Sequence, residues 1–292
     1  MPKAVMRDVI GGATGPRRRG RTRLHQNGSM SAEHITGPPT RLDIADGVGT
    51  ITLDRPANRN ALSTELVESL SASLGAAIAD PGVHVIVLTG SGTVFCAGAD
   101  LKERRTVTAG GDDGGVPTFV RVFEQILDAP KPVVAKLNGS ALAGGLGLAC
   151  SCDIVVAPTT AMFGFTEVRI GVAPAIISVV CLPKLRQADA AELFLTGERI
   201  TAAEALRVGL VNRVVEPDAV DATTDELVAK LRLGGPLALA ASKRLLSPTD
   251  HDARRAAFRS MAKLSGELFA SEEATEGMRA FGEKRPPSWA AH

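Results

Sequence analysis

Apolar segments of strand length alternate with segments of helical periodicity along most of this chain. Residues 83–88, 132–137 and 154–157 are short runs rich in Val, Ile and Ala, a composition typical of strands buried on both faces. Residues 119–127 show helical spacing, and 141–150 form a run of small residues that we interpret as a second helix. This alternation predicts an α/β core with parallel strands and with motif-bearing loops at the strand ends.

The two ends of the chain depart from this pattern and divide it into three regions. Residues 1–36 are rich in Gly, Arg, Ser and Thr and lack apolar periodicity, so we expect a flexible N-terminal tail. We favour translation from Met30, with targeting as the alternative role of the tail. The core then covers 37–233, and 234–292 has helical periodicity alone, which predicts a C-terminal helical oligomerisation region.

The apolar positions of this C-terminal region are more numerous than one helical hairpin needs, and we expect them to be buried against other subunits. They are Leu245, Leu246, Phe258, Met261, Leu264 and Leu268.

Charge and composition exclude several classes of protein. The chain has 33 Lys and Arg against 32 Asp and Glu, and much of the basic charge lies in the tail, which leaves a mildly acidic core. A nucleic-acid-binding surface is therefore not expected, nor is a membrane span, since no apolar run reaches the roughly 18 residues required. The four cysteines have neither zinc-ligand spacing nor the pattern of a secreted disulfide framework, which favours a reducing, cytoplasmic location and no metal.

Two joints rich in small residues follow strands and are candidates for chemistry. They lie at 95–103 and 144–147. The second is not a dinucleotide fingerprint, because Cys150 stands where a third small residue is required. Backbone N–H groups at a helix start can hold an anion or a polarised carbonyl, and two such groups converging on one oxygen would form an oxyanion hole. Taken singly, each joint is better explained by close packing of a helix against the sheet, which also requires small residues.

The ordered motifs of the chain resemble those of the crotonase superfamily, the enoyl-CoA hydratase/isomerase family. The resemblance runs over about residues 40–290 and implies an α/β fold, a spiral of ββα units with a helical C-terminal part. The matching segments are 55–56, 60–62, 95–103, 138–145, 152–154, 163–167, 195–197, 276–278, 281 and 283–285.

The resemblance also implies the substrate and the site. The substrate would be an acyl-CoA thioester, with coenzyme A as part of the substrate and no separate cofactor, and the protein would be a homotrimer or hexamer. The backbone N–H groups of Ala99 and Gly144 match the oxyanion-hole donors, and Phe281 and Lys284 match residues that reach the coenzyme A of a neighbouring subunit. Six further residues match the coenzyme A channel: Arg59, Ala61, Ala97, Asp100, Leu101 and Lys102.

The acids depart from the pattern of the two-glutamate hydratases. Glu167 matches one catalytic glutamate, and Gly147 occupies the position of the missing second acid. We expect Phe163 and Phe165 to raise the pKa of Glu167 by desolvation. One carboxylate is enough to move a proton from C2 to C4, so double-bond isomerisation is favoured over two-glutamate hydration. We also expect Gly147→Glu to increase hydration if Leu146 and Leu148 tolerate the side chain.

Two alternatives stay open from the sequence. The protein could be a 2-enoyl-CoA hydratase that uses another acid or a water network, and Glu103 and Glu124 are the nearest replacements, although we expect both to face solvent. It could also be a non-catalytic acyl-CoA-binding protein, in which the glycine at 147 indicates that a catalytic acid has been lost.

Overall fold

The described residues, 37–104, 117–247 and 249–290 of a computed structural model, form ten strands and eleven α-helices. The strands are β1 Thr40–Ala45, β2 Val48–Leu53, β3 Val85–Gly90, β4 Val94–Cys96, β5 Val133–Lys136, β6 Ser140–Leu142, β7 Ile154–Pro158, β8 Met162–Gly164, β9 Arg199–Thr201 and β10 Arg213–Val215. The helices are α1 Thr64–Ala79, α2 Leu101–Arg104, α3 Thr118–Asp128, α4 Gly144–Ser151, α5 Ala175–Cys181, α6 Gln187–Thr196, α7 Ala202–Val208, α8 Val220–Arg232, α9 Pro236–Leu245, α10 His251–Phe269 and α11 Glu272–Gly282.

The tail predicted at 1–36 lies outside the described residues. Among the helices that the structure describes, none combines the length and the apolar character that crossing a membrane requires.

A six-stranded sheet has the order β1-β2-β3-β5-β7-β10. The hairpin pair β1 and β2 is antiparallel, and every other pair in the sheet is parallel. The central strands follow the sequence prediction because their Val and Ile side chains are buried on both faces, as along Val85–Gly90. The α/β prediction is confirmed.

A second sheet has the order β4-β6-β8-β9 and consists of three-residue strands. Three successive passes of the chain each add a strand to the large sheet, then a strand to the small sheet, then helix, which is the expected spiral of ββα units. One prediction was wrong in detail: a single helix over 141–150 is in fact strand Ser140–Leu142 followed by helix Gly144–Ser151. A turn at Ala143, with φ +48°, separates the two.

The C-terminal helices pack against this core. Phe258 of α10 is fully buried, and its ring centroid lies 6.4 Å from that of Phe123 on α3. Phe258 is therefore a core residue of its own chain, which corrects its place among the expected subunit contacts. Lys243 of α9 donates from Nζ to the carbonyl of Ile126 (2.8 Å) and forms an ion pair with Asp153 (2.8 Å).

Candidate active site

The segments that follow β4, β6 and β8 and the segment that precedes β9 lie at one edge of the small sheet. Strands β4, β6 and β8 are parallel and end at Cys96, Leu142 and Gly164. Strand β9 is antiparallel to β8, so its first residue, Arg199, lies at the same edge and pairs with Gly164. Ligands of α/β proteins bind beyond the carboxyl ends of parallel strands. This edge is therefore the expected place for a site.

A cavity of about 550 Å³ lies at this edge. Helix α5 contributes an apolar wall that includes Ile176 and Ile177, and the C-terminal helices contribute Phe269 and Phe281. The edge of the small sheet and the segments next to it supply the remaining wall that bears on chemistry: Ala97, Ala99, Leu142, Ala143, Gly144, Thr166, Glu167, Arg169, Gly197, Glu198 and Arg199. The cavity thus combines apolar surface with a few polar groups, as ligand sites commonly do.

Two backbone amides at the cavity, those of Ala99 and Gly144, lie close together. Neither the N–H of Ala99 nor that of Gly144 donates a hydrogen bond to a described residue. A Cβ placed on Gly144 would lie 3.6 Å from the backbone nitrogen of Ala99, so the two joints are in close contact. The cavity therefore has two neighbouring backbone N–H groups with no acceptor among the described residues.

The residue before each donor has an unusual, positive φ angle. Gly98 and Ala143, the residues before the two donors, have φ of +93° and +48°. A side chain at Gly98 would meet the Ala143 Cβ at 3.0 Å and the Leu142 carbonyl oxygen at 3.1 Å, so only glycine fits there. The unfavourable φ of Ala143 is fixed by a hydrogen bond from its N–H to the carbonyl of Gly164 (2.9 Å). Such strain is found at functional sites, where it preorganises polar groups.

Glu167 lies in the first turn of a 3₁₀ helix, Thr166–Ile170, that follows β8. Its Oε2 is buried and has no hydrogen-bond partner. Burial raises the pKa of Glu167 to about 7, as the sequence led us to expect. A carboxyl group with this pKa can both accept and return a proton near neutral pH, which is what a general acid or base must do.

The comparisons with known proteins agree with this geometry. The sequence model described as Enoyl-CoA hydratase/isomerase matches residues 43–292. The chain belongs to the enoyl-CoA hydratase/isomerase family. The crotonase resemblance drawn from the motifs is thereby confirmed.

Several relatives of this enoyl-CoA hydratase/isomerase family member carry specific names. The short-chain-enoyl-CoA hydratase of Clostridium acetobutylicum is 35% identical over 82% of this chain and 92% of its own length. The (E)-benzylidenesuccinyl-CoA hydratase of Thauera aromatica is 35% identical over 86% of this chain and 98% of its own. A solved structure, the carnitinyl-CoA hydratase from Mycobacterium avium, is 35% identical, covers 88% of this chain and 100% of its own, and has a TM-score of 0.78.

The structure brings only some of the expected coenzyme A residues to the cavity. Arg59, Ala97 and Leu101 line it. Phe281 lines the cavity of its own chain, so its expected reach into a neighbour stays a prediction. The others lie outside the cavity lining, and their roles also stay predictions: Ala61, Asp100, Lys102 and Lys284.

Side chains of α3 and α5 occupy the space beside Gly147, the position that the sequence comparison gave to the missing second acid. A Cβ at Gly147 would lie 2.4 Å from Cγ2 of Ile177 and 3.2 Å from the ring of Phe123. Ile177 itself lines the cavity. The expectation that Leu146 and Leu148 would decide whether a side chain fits at 147 therefore needs correction, because α5 and α3 supply the obstruction.

The proposed replacement acids do not reach the cavity. Glu103 accepts a hydrogen bond from the N–H of Thr64 (2.9 Å), and Glu124 pairs with Arg255 at 3.5 Å. Glu198 does line the cavity, and sequence reasoning missed it. Its signal was present, since Glu198 directly follows the family segment 195–197.

Proposed function

We propose that this protein catalyses proton transfer at C2 of an enoyl-CoA thioester, with Glu167 as the proton-transferring group. The observation that carries the proposal is the unpartnered carboxyl of Glu167 in the same cavity as the two free N–H groups of Ala99 and Gly144. Enolate formation needs a base for the C2 proton and donors for the charge on the thioester oxygen. Glu167 would be that base, and the N–H groups of Ala99 and Gly144 would be those donors.

The reaction that one carboxylate can complete is the shift of a 3,4 double bond to the 2,3 position. Ionised Glu167 takes a proton from C2 of the 3-enoyl thioester, and the electron pair moves onto the thioester oxygen between the N–H groups of Ala99 and Gly144. Protonated Glu167 then returns the proton to C4, the double bond re-forms between C2 and C3, and the carbonyl is restored. The apolar wall of α5 would keep water away from the intermediate.

Hydration of a 2-enoyl thioester is the second candidate, and two observations favour it. Glu198 provides a second carboxylate at the cavity wall, and the relatives described above are named hydratases. In this reaction a water hydroxyl adds to C3 and a proton adds to C2. Glu167 would accept a proton from the water and return it to C2, and Glu198 would help to hold the water.

Separate incubation with but-3-enoyl-CoA and but-2-enoyl-CoA tests the proposal. The isomerase interpretation predicts gain of conjugation, read as ultraviolet absorbance, from the first thioester and little change in the second. Rapid loss of conjugation from but-2-enoyl-CoA, sensitive to Glu198→Gln, would favour hydration instead. Binding of both thioesters without change in either would indicate an acyl-CoA-binding protein without catalysis.

A further inference from the structure

Two arginines line the cavity without an anionic partner among the described residues. Arg169 and Arg199 both line the cavity, and neither guanidinium forms an ion pair or a side-chain hydrogen bond with a described residue. Glu198 lies in the same wall and pairs with neither. With that of Arg59, the cavity lining holds three guanidiniums against the carboxyl groups of Glu167 and Glu198, so positive charge exceeds negative charge there.

Glycines make room for both arginine stems. A Cβ at Gly197 would lie 3.2 Å from Cγ and 3.3 Å from Nε of Arg169. A Cβ at Gly164 would lie 3.4 Å from Cγ of Arg199. Arg169 therefore packs over Gly197 and Arg199 packs over Gly164, and a side chain at either glycine would crowd the arginine. Both arginines are exposed to solvent and also line the cavity, so their guanidiniums can meet an anion that enters it.

The order of the small sheet places these arginines at the acyl end of the site. Arg59, Ala97 and Leu101 lie on the β4 side, the donor Gly144 follows β6, Glu167 follows β8, and Arg199 begins β9. Neighbouring strands are about 4.8 Å apart, so Arg199 lies roughly 10 Å across the sheet from the oxyanion hole. The base is between them. A short acyl chain and an arginine side chain together span this distance.

We infer that the acyl group of the substrate carries a carboxylate beyond the double bond, which Arg169 and Arg199 bind. The inference rests on the proposed function for the direction in which the thioester lies. Arginine matches a carboxylate through two parallel N–H donors, so a dicarboxylic monothioester fits this wall better than an alkyl chain. The phosphates of coenzyme A are the other anions of such a substrate.

Binding of two saturated thioesters tests the inference without turnover. Pentanedioyl-CoA ends in a carboxylate and pentanoyl-CoA in a methyl group, and neither has a double bond to move or hydrate. Calorimetry should give a Kd at least about tenfold lower for pentanedioyl-CoA, as expected for one charge-assisted hydrogen-bonded pair. Arg169→Gln and Arg199→Gln should bring the ratio of the two Kd values toward one, and Arg199→Lys should retain part of the preference. Arg259→Gln, on the exposed face of α10, is the matched control and should leave the ratio unchanged.

Equal affinity of the wild-type protein for the two thioesters would overturn the inference. An equal loss of affinity for both thioesters and for free coenzyme A in the arginine variants would also overturn it, because that result assigns the guanidiniums to the phosphates. A protein that prefers pentanedioyl-CoA but moves no proton would refute the proposed function alone and support the carboxylate site. Catalysis without a preference for pentanedioyl-CoA would support the proposed function and refute the carboxylate site.

Discussion

The carboxyl group of Glu167 couples the chemistry of the site to the stability of the fold. Burial raises its pKa to about 7 in the folded protein, above the ordinary value of 4.5. The folded state therefore holds this proton more tightly than the unfolded state between pH 4.5 and 7. Over that interval the free energy of unfolding falls as pH rises, and the loss is complete above about pH 7.

Glu167→Gln should therefore have two opposite effects. It should abolish turnover, because an amide cannot accept the C2 proton. It should also remove the stability loss, so that the variant gains about 1–3 kcal/mol over the wild type at pH 8 and little at pH 4. Urea unfolding at the two pH values measures this, with Glu68→Gln on the exposed face of α1 as control. Equal stability differences at both pH values would contradict the buried, partner-free carboxyl.

Gly144→Ala tests the oxyanion hole at the scale of one methyl group. The new Cβ would lie 3.3 Å from Leu62 Cδ1 and 3.6 Å from the Ala99 nitrogen, so the chain can fold while the methyl group crowds the hole. We expect kcat/KM to fall about 10²–10³-fold, the cost of losing an oxyanion donor. Gly75→Ala is the matched control, since nothing lies within 4 Å of its Cβ. A Gly144→Ala enzyme with wild-type kcat/KM would place the oxyanion elsewhere.

Among the elements, the contact between α4 and α5 limits the size of the side chain that residue 147 can have. Gly147→Glu forces a side chain against Ile177, 2.4 Å from the Cβ position, and should destabilise the fold by about 1–3 kcal/mol without increasing hydration. The double variant with Ile177→Ala should recover part of that stability, because it removes the methyl groups that clash. Thermal unfolding of both single variants and the double variant gives the coupling. Additive effects would show that Ile177 is not the obstruction.

The elements also show which parts of the fold the sequence predicts. Strands β3, β5 and β7 were found because each is a Val-rich run buried between helices. The strands of the small sheet were missed because three residues are too few to show alternation, and β6 was read as the start of α4. Ala and Leu are compatible with both a strand and a helix, so only the turn at Ala143 separates β6 from α4.

The site was predictable to a different extent. Glu167, Ala99 and Gly144 were found through ordered motifs, and the structure brings all three to one cavity. Arg169 and Glu198 were missed because charged side chains beside a helix or a short strand look like ordinary surface in a sequence. The obstruction by Ile177 could not be predicted either, since residues 147 and 177 meet only through the packing of two helices.

At the scale of the whole molecule, the four most exposed leucines of the described residues lie close together in the sequence. Leu233, Leu237, Leu245 and Leu246 are 89%, 88%, 86% and 80% exposed, and all lie along or beside α9. An apolar stripe of this kind is typical of an interface between subunits. We predict a trimer or hexamer by light scattering, and Leu237→Asp with Leu245→Asp should shift the mass toward the monomer. A wild-type protein of monomeric mass would contradict this prediction.

Exchange of the C2 protons of butanoyl-CoA in deuterated water tests the central claim most directly, because this saturated thioester can form the enolate and go no further. We predict that the wild-type protein incorporates deuterium at C2, detected by mass spectrometry, and that exchange by Glu167→Gln falls at least about 100-fold. Binding of butanoyl-CoA without exchange, or exchange by Glu167→Gln at the wild-type rate, would contradict the assignment of Glu167 as the base of an enolate-forming site.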